Sequence, residues 1–183
     1  MRRTYVPIYQ DKGKNSQIYF DYKSNEFFTT PPQKASIIPY FSGFAGVVLY
    51  AFLKNASFDI GLNPLTVVLL SIIVGVILGF ITVKLFENAI LKGLKTKKIL
   101  LTPTIDQIKI YIDEGKKQSK ALYFIIMFFL FSSLLCSVIL LIMPNSVLFN
   151  ILNPVIWAVL ILVIWAVRPI KKLQVYKQLK NGL

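Results

Sequence analysis

The feature that most constrains this chain is how its apolar residues are gathered. Four windows, 37–54, 65–86, 121–143 and 147–167, hold most of them. Each is close to the roughly 20 residues a helix needs to cross the hydrocarbon core of a bilayer. Backbone N–H and C=O groups cannot stay unpaired in hydrocarbon, so each window is expected to be a helix. Windows 65–86 and 121–143 are the most continuous. Window 147–167 carries Asn150, Asn153 and Pro154 near its start, and 37–54 is the shortest, with Pro39 near its beginning. Of 183 residues, 55% are hydrophobic and 16% charged, against about one quarter charged in a soluble domain. A soluble globular fold is excluded. The expected fold is an all-α integral membrane protein built as a four-transmembrane-helix bundle, with three spans plus an interfacial or re-entrant segment at 37–54 as the alternative.

Charge assigns the orientation. Six basic residues precede the first window, nine lie between Lys84 and Lys120, and five follow the last window from Arg168 to Lys180; only Lys54 of the 21 falls elsewhere. Four spans put these three groups on one side, and the positive-inside rule makes that side cytoplasmic. The expectation is a multi-pass cell-membrane protein with both termini in the cytoplasm and a formal charge of +13 that labels topology. That charge is spread over three juxtamembrane segments with no nucleic-acid fold to present it, so no nucleic-acid partner is expected. Arg2 and Arg3 lead into no apolar stretch of a signal peptide, so the first span is expected to be an uncleaved anchor. Eighteen lysines against three arginines fit the bias of an AT-rich genome, and a Gram-positive bacterium is the expected source.

The expected organisation is an N-terminal segment over 1–36, a membrane domain over 37–167 that includes a cytoplasmic loop at 87–120, and a basic tail over 168–183. Within 1–36, residues 17–22 and 26–30 are aromatic-rich runs joined by Lys23, Ser24 and Asn25, the pattern of a β-hairpin. Residues 4–9 can add a third strand, which Pro7 confines to an edge. Because roughly 30 residues cannot bury an independent core, this element reads as a cap against the headgroups or as a docking platform. In the loop, Thr104 and Gln107 have capping-box spacing, and Ile105, Ile108, Tyr111 and Ile112 fall on one helical face. Gly115 is expected to end that helix before Lys116 and Lys117. Such a basic amphipathic segment lies on an anionic inner leaflet or binds a partner.

Several kinds of chemistry lack their residues. With no histidine and one cysteine, Cys136, the chain offers no disulfide and no paired Cys or His for a metal. No two carboxylates fall within a window, and Ser132, Ser133 and Ser137 have no base placed to activate them. Neither a catalytic site nor a cofactor is expected. Lys84 and Glu87 are the only charged groups near the windows' interiors, too few to line a conducting path.

The windows do carry material for helix association. Ser71, Gly75 and Gly79 recur every four residues, and Ser42 and Gly46 share that spacing. Small residues let helix backbones approach in lipid, within this bundle or against a partner, a second copy included. Asn150 and Asn153 lie beside Pro154, which removes a backbone donor. These amides either satisfy the bent backbone and the serines of the third span, or form a polar notch facing the outer leaflet.

The stretch Tyr5-Val-Pro-Ile-Tyr, the hairpin Ile18-Tyr-Phe-Asp-Tyr with Glu26-Phe-Phe, and Ile38-Pro-Tyr-Phe entering the first window carry a resemblance. They are similar to the aromatic N-terminal hairpin and proline-containing entry of the tandem five-span membrane immunity family of Gram-positive bacteria, although this chain reads as four spans. The resemblance implies a protein that protects the producer's membrane from a secreted toxin or bacteriocin, by binding the toxin or masking its target. The contact surfaces would be the Ser71–Gly75–Gly79 stripe and the Asn150–Asn153 notch. The rival expectation is an accessory subunit of a membrane transporter or secretion complex, with 104–115 as a coupling segment.

Overall fold

The structure, a computed structural model, describes residues 4–11, 13, 16–31, 50–53, 55–57 and 61–181, with the backbone alone for 89–97. Most of the expected first span, including Ser42 and Gly46, lies outside the described residues; 50–53 are helical. The elements of the described residues are the strands β1 (Tyr5–Asp11), β2 (Ser16–Asp21), β3 (Glu26–Thr29) and β4 (Ile99–Leu101) and the helices α1 (Pro64–Lys97), α2 (Ile105–Ile142), α3 (Val147–Val167) and α4 (Pro169–Asn181). Among the described residues, three helices are long and apolar enough to cross a membrane. The chain forms two compact units: a sheet unit (Met1–Gln33, Lys84–Ile126, Ile164–Leu183) and an apolar unit (Lys34–Val83, Met127–Val163).

In the sheet unit the expected hairpin is part of a four-stranded antiparallel sheet of order β1-β2-β3-β4. The β2–β3 turn uses Asn25 at φ 55°, a left-handed conformation that asparagine tolerates, and the Asp21 carboxylate accepts from Lys23 N at 3.0 Å. Pro7 sits on an edge strand as expected, next to a register shift between Pro7 and Tyr9. The fourth strand comes from the 87–120 loop: Phe27 pairs with Leu101 and Thr29 with Ile99.

Strand alternation gives the sheet two aromatic faces. Tyr5, Tyr19 and Phe28 cluster on one, with Tyr19 and Phe28 stacked at 5.2 Å between ring centres. The other holds Val6, Ile8, Ile18, Phe20 and Phe27, and buries them together with Ile112 of α2 and Val175 and Tyr176 of α4. The N-terminal strands therefore do not stand alone as a cap. They share one core with the middle loop and the basic tail, which is how so short a sheet acquires enough buried surface.

The helices explain that sharing. The Thr104–Gln107 capping box is formed, with Thr104 N donating to Gln107 Oε1 at 3.1 Å and Gln107 N donating to Thr104 Oγ1 at 3.4 Å. Gly115 does not end the helix. It lies inside α2, where a methyl group would overlap the Ile8 carbonyl oxygen and the Tyr176 hydroxyl. Its role is close approach of strand and helix, so α2 continues for 38 residues, about 57 Å at 1.5 Å per residue. The tail is likewise a helix. Pro169 cannot continue α3, Arg168 turns the chain at φ 49°, and α4 places Lys172, Val175 and Tyr176 inward.

In the apolar unit, Asn63 caps α1 by accepting from Leu65 N at 2.9 Å, with Pro64 in the first turn. Gly75 and Gly79 face α3: an added Cβ would lie 2.7 Å from the Pro154 carbonyl oxygen and from Trp157 Cβ at the first, and 2.9 Å from Ile161 Cβ at the second. Val67, Val68 and Leu140 pack together, while Leu69, Ile73, Phe80, Met127 and Phe131 point outward and are exposed.

Candidate functional site

Two of the sequence-derived residues of the apolar unit, Ser71 and Asn153, meet at one buried point. Asn153, 0% exposed, donates from Nδ2 to Ser71 Oγ at 2.9 Å. Its Oδ1 lies 2.9 Å from the Ser137 hydroxyl, which is equally close to the Ser133 carbonyl; the single proton serves one acceptor at a time. Trp157 Nε1 donates to that same hydroxyl at 3.2 Å. Three helices are thus tied by one amide. Asn150 donates to the carbonyls of Pro144 at 2.7 Å and Ser146 at 2.9 Å, closing the turn before α3. Asn153 takes the internal arrangement and Ser71, Gly75 and Gly79 meet α3 of the same chain, while half-buried Asn150, with Pro154 and Ser71, also lines an open cavity of about 190 Å³.

The amphipathic face of α2 is also occupied. Ile112 is buried and Ile108 and Tyr111 pack on the sheet core, whereas Ile105 is 59% exposed. Lys116 and Lys117 point outward, and Lys117 pairs with Glu114 at 2.8 Å.

The sheet unit contains a cavity of about 760 Å³ that sequence reasoning missed. This is within the roughly 300–1,000 Å³ of small-molecule sites. Charged side chains of Asp11, Glu114, Lys117 and Lys172 line it, with Tyr9 and Gln17 beside them and Pro7, Ala121, Leu122, Ala166 and Val167 as apolar wall. Four hydrogen bonds from three side chains hold this region against the outer edge of β1. Arg168 Nη1 donates to Tyr5 O at 3.1 Å and Tyr176 Oη to Ile8 O at 2.6 Å, while the Gln118 amide exchanges a bond in each direction with the Gln10 backbone at 2.9 Å. Side chains here do what a neighbouring strand would do, closing an edge that otherwise exposes backbone groups.

Lys172 is the unusual group. It is 3% exposed, and among the described residues no carboxylate lies against its ammonium, which faces the Tyr176 ring at 5.9 Å from the ring centre. Burial pulls its pKa down to about 8. A cation–π contact supplies about 0.5–2 kcal/mol, less than the several kcal/mol that desolvating an ammonium costs. Burial also raises the Tyr176 hydroxyl to about 12, so it stays a protonated donor to Ile8. Tyr9 is raised by burial and then by the negative charges of Asp11 and Glu114. The signal for this face was present in the tail: Lys172, Val175, Tyr176 and Leu179 recur at helical spacing.

No protein-family model, curated protein or solved structure matches this chain.

Proposed function

We propose that this chain is a multi-pass membrane protein that acts by binding, with the sheet unit as its working part and the apolar unit as its anchor. The observation that carries the reading is the contrast between polar groups. Asn153, Ser71 and Ser137 of the apolar unit are engaged with one another, whereas the sheet unit keeps charged side chains around an open cavity. The positive-inside rule places the sheet unit, the 87–120 segment and both termini in the cytoplasm, with 37–54 as a further span. The biological role is protection: the chain occupies a membrane component that a secreted toxin or bacteriocin needs, or holds the toxin itself. That role rests on the resemblance of the N-terminal hairpin and entry to the membrane immunity family.

The test is expression of the full chain in a sensitive bacterium, challenged with secreted pore-forming bacteriocins, with membrane potential as readout. Protection by the chain alone is expected. Unchanged depolarisation, with the protein present at the membrane, overturns the protective role; co-purification with an ATPase or permease in that case makes it an accessory subunit.

A further inference from the structure

The cavity of the sheet unit has two dissimilar walls. Ala121 and Leu122 begin the apolar stretch of α2, and Ala166 and Val167 end that of α3. The opposite wall is charged. Lys117 and Glu114 neutralise each other at 2.8 Å, which leaves Lys172 and Asp11. The Asp11 Oδ1 atom already accepts from Gly13 N at 3.0 Å. Lys172 is left as a desolvated cation with no anion against it among the described residues, beside space large enough to hold one. Apolar carbon on one side and a single buried cation on the other suit an amphiphilic anion.

The number of charges on that anion follows from the lining. Among the described lining residues, negative charge beyond the one facing Lys172 would meet the like charges of Asp11 and Glu114, which disfavours a dianion. A monoanion matches Lys172 alone. At the point where apolar helix stretches end, the abundant monoanion with attached carbon chains is the phosphodiester of a phospholipid.

We propose that this cavity binds a phosphodiester monoanion, with Lys172 on the phosphate and the Ala121–Leu122 and Ala166–Val167 wall against the adjoining carbon chain. The inference uses the membrane placement proposed above and not the protective role. Binding is read on purified protein without any toxin, so the two fail separately. The diester can come from a lipid headgroup or from a soluble glycerophosphodiester, and the probes distinguish these sources.

The full chain, purified in a neutral detergent, is titrated by native mass spectrometry with dihexanoylphosphatidylglycerol, glycerophosphoglycerol, inorganic phosphate and oleate. One phosphatidylglycerol per chain is expected, at least tenfold tighter than phosphate or oleate. Lys172→Met should weaken it at least tenfold, and Lys171→Met, at the exposed neighbouring position, less than twofold. Ala166→Trp fills the mouth from an exposed position with Lys172 intact and should also cost tenfold, a second test that does not depend on the Lys172 variant. Glycerophosphoglycerol binding as tightly as the lipid assigns the soluble source and upholds the phosphodiester site. Equal affinity in wild type and Lys172→Met, an equal loss in Lys171→Met, no loss in Ala166→Trp, or tighter binding of oleate or phosphate overturns it.

Discussion

The two units solve opposite problems with the same kinds of residue. In the apolar unit the outward positions are Leu69, Ile73, Phe80 and Phe131, and the buried point where helices meet is polar: Asn153 with Ser71 and Ser137. In the sheet unit the inside is Val6, Ile8, Phe20 and Ile112, and the exposed helix positions carry Lys116, Lys117 and Lys171. Against hydrocarbon, apolar burial yields little, so packing of small residues and interhelical hydrogen bonds hold helices together. Against water, apolar burial is the main term. Lys172 breaks this division, because it is a charge inside the unit that otherwise buries apolar carbon.

The comparison breaks first at the glycines. Gly75→Leu and Gly115→Val each force a side chain into backbone or ring atoms, at α3 in one unit and at Ile8 and Tyr176 in the other. Each is expected to destabilise its unit by about 3 kcal/mol. Hydrogen exchange should show the loss confined to α1 and α3 amides for Gly75→Leu, and to β1 and α4 amides for Gly115→Val. Protection that falls equally in both units for either variant would remove the division into two units.

A gain is expected from Lys172→Met. The Lys172 pKa is pulled down to about 8 by burial, so between pH 8 and the unfolded value near 10.4 the unfolded chain binds more protons and stability rises with pH. Stability is therefore complete above that window and lowered below pH 8. In ligand-free protein at pH 7, Lys172→Met should add roughly 2–3 kcal/mol, a gain that fades as pH approaches 10.5. Denaturant titrations at pH 7 and pH 10 check this; a loss at pH 7 would mean that the ammonium has a strong partner.

Asn153→Ala tests the polar point of the apolar unit. Losing bonds to Ser71 and Ser137 should cost about 1–2 kcal/mol, read as a lower midpoint in a detergent-denaturation titration, with Asn150→Ala smaller because its bonds close a turn. The smallest effect is expected from Thr104→Ala, which removes half of the capping box and should cost about 1 kcal/mol, seen as faster exchange in the first turn of α2.

Local pattern carried a good part of the fold. The apolar windows 65–86, 121–143 and 147–167, the Thr104–Gln107 box, the hairpin residues and the edge position of Pro7 all depend on near neighbours, and each was legible. The 87–120 loop and the basic tail were not, because their structure is decided by partners far away in sequence. Ile99–Leu101 is three apolar residues until Phe27 and Thr29 pair with it. Gly115 marks a helix end by local rules, and only the approach of Ile8 and Tyr176 makes it a packing position. The same holds for the site. The small-residue stripe was visible, whereas its partner on α3 was not. Lys172 looked like one basic tail residue among five until the strands of the N-terminal segment covered it.

The side chains that close the β1 edge have a consequence in time. Gln118, Arg168 and Tyr176 bond backbone groups 108, 163 and 168 residues before them in the chain. At about 5–20 residues per second, a ribosome reaches Arg168 roughly 10–30 s after it has made Tyr5. During that interval the first strand is synthesised but its outer edge is bare, open to any extended peptide nearby.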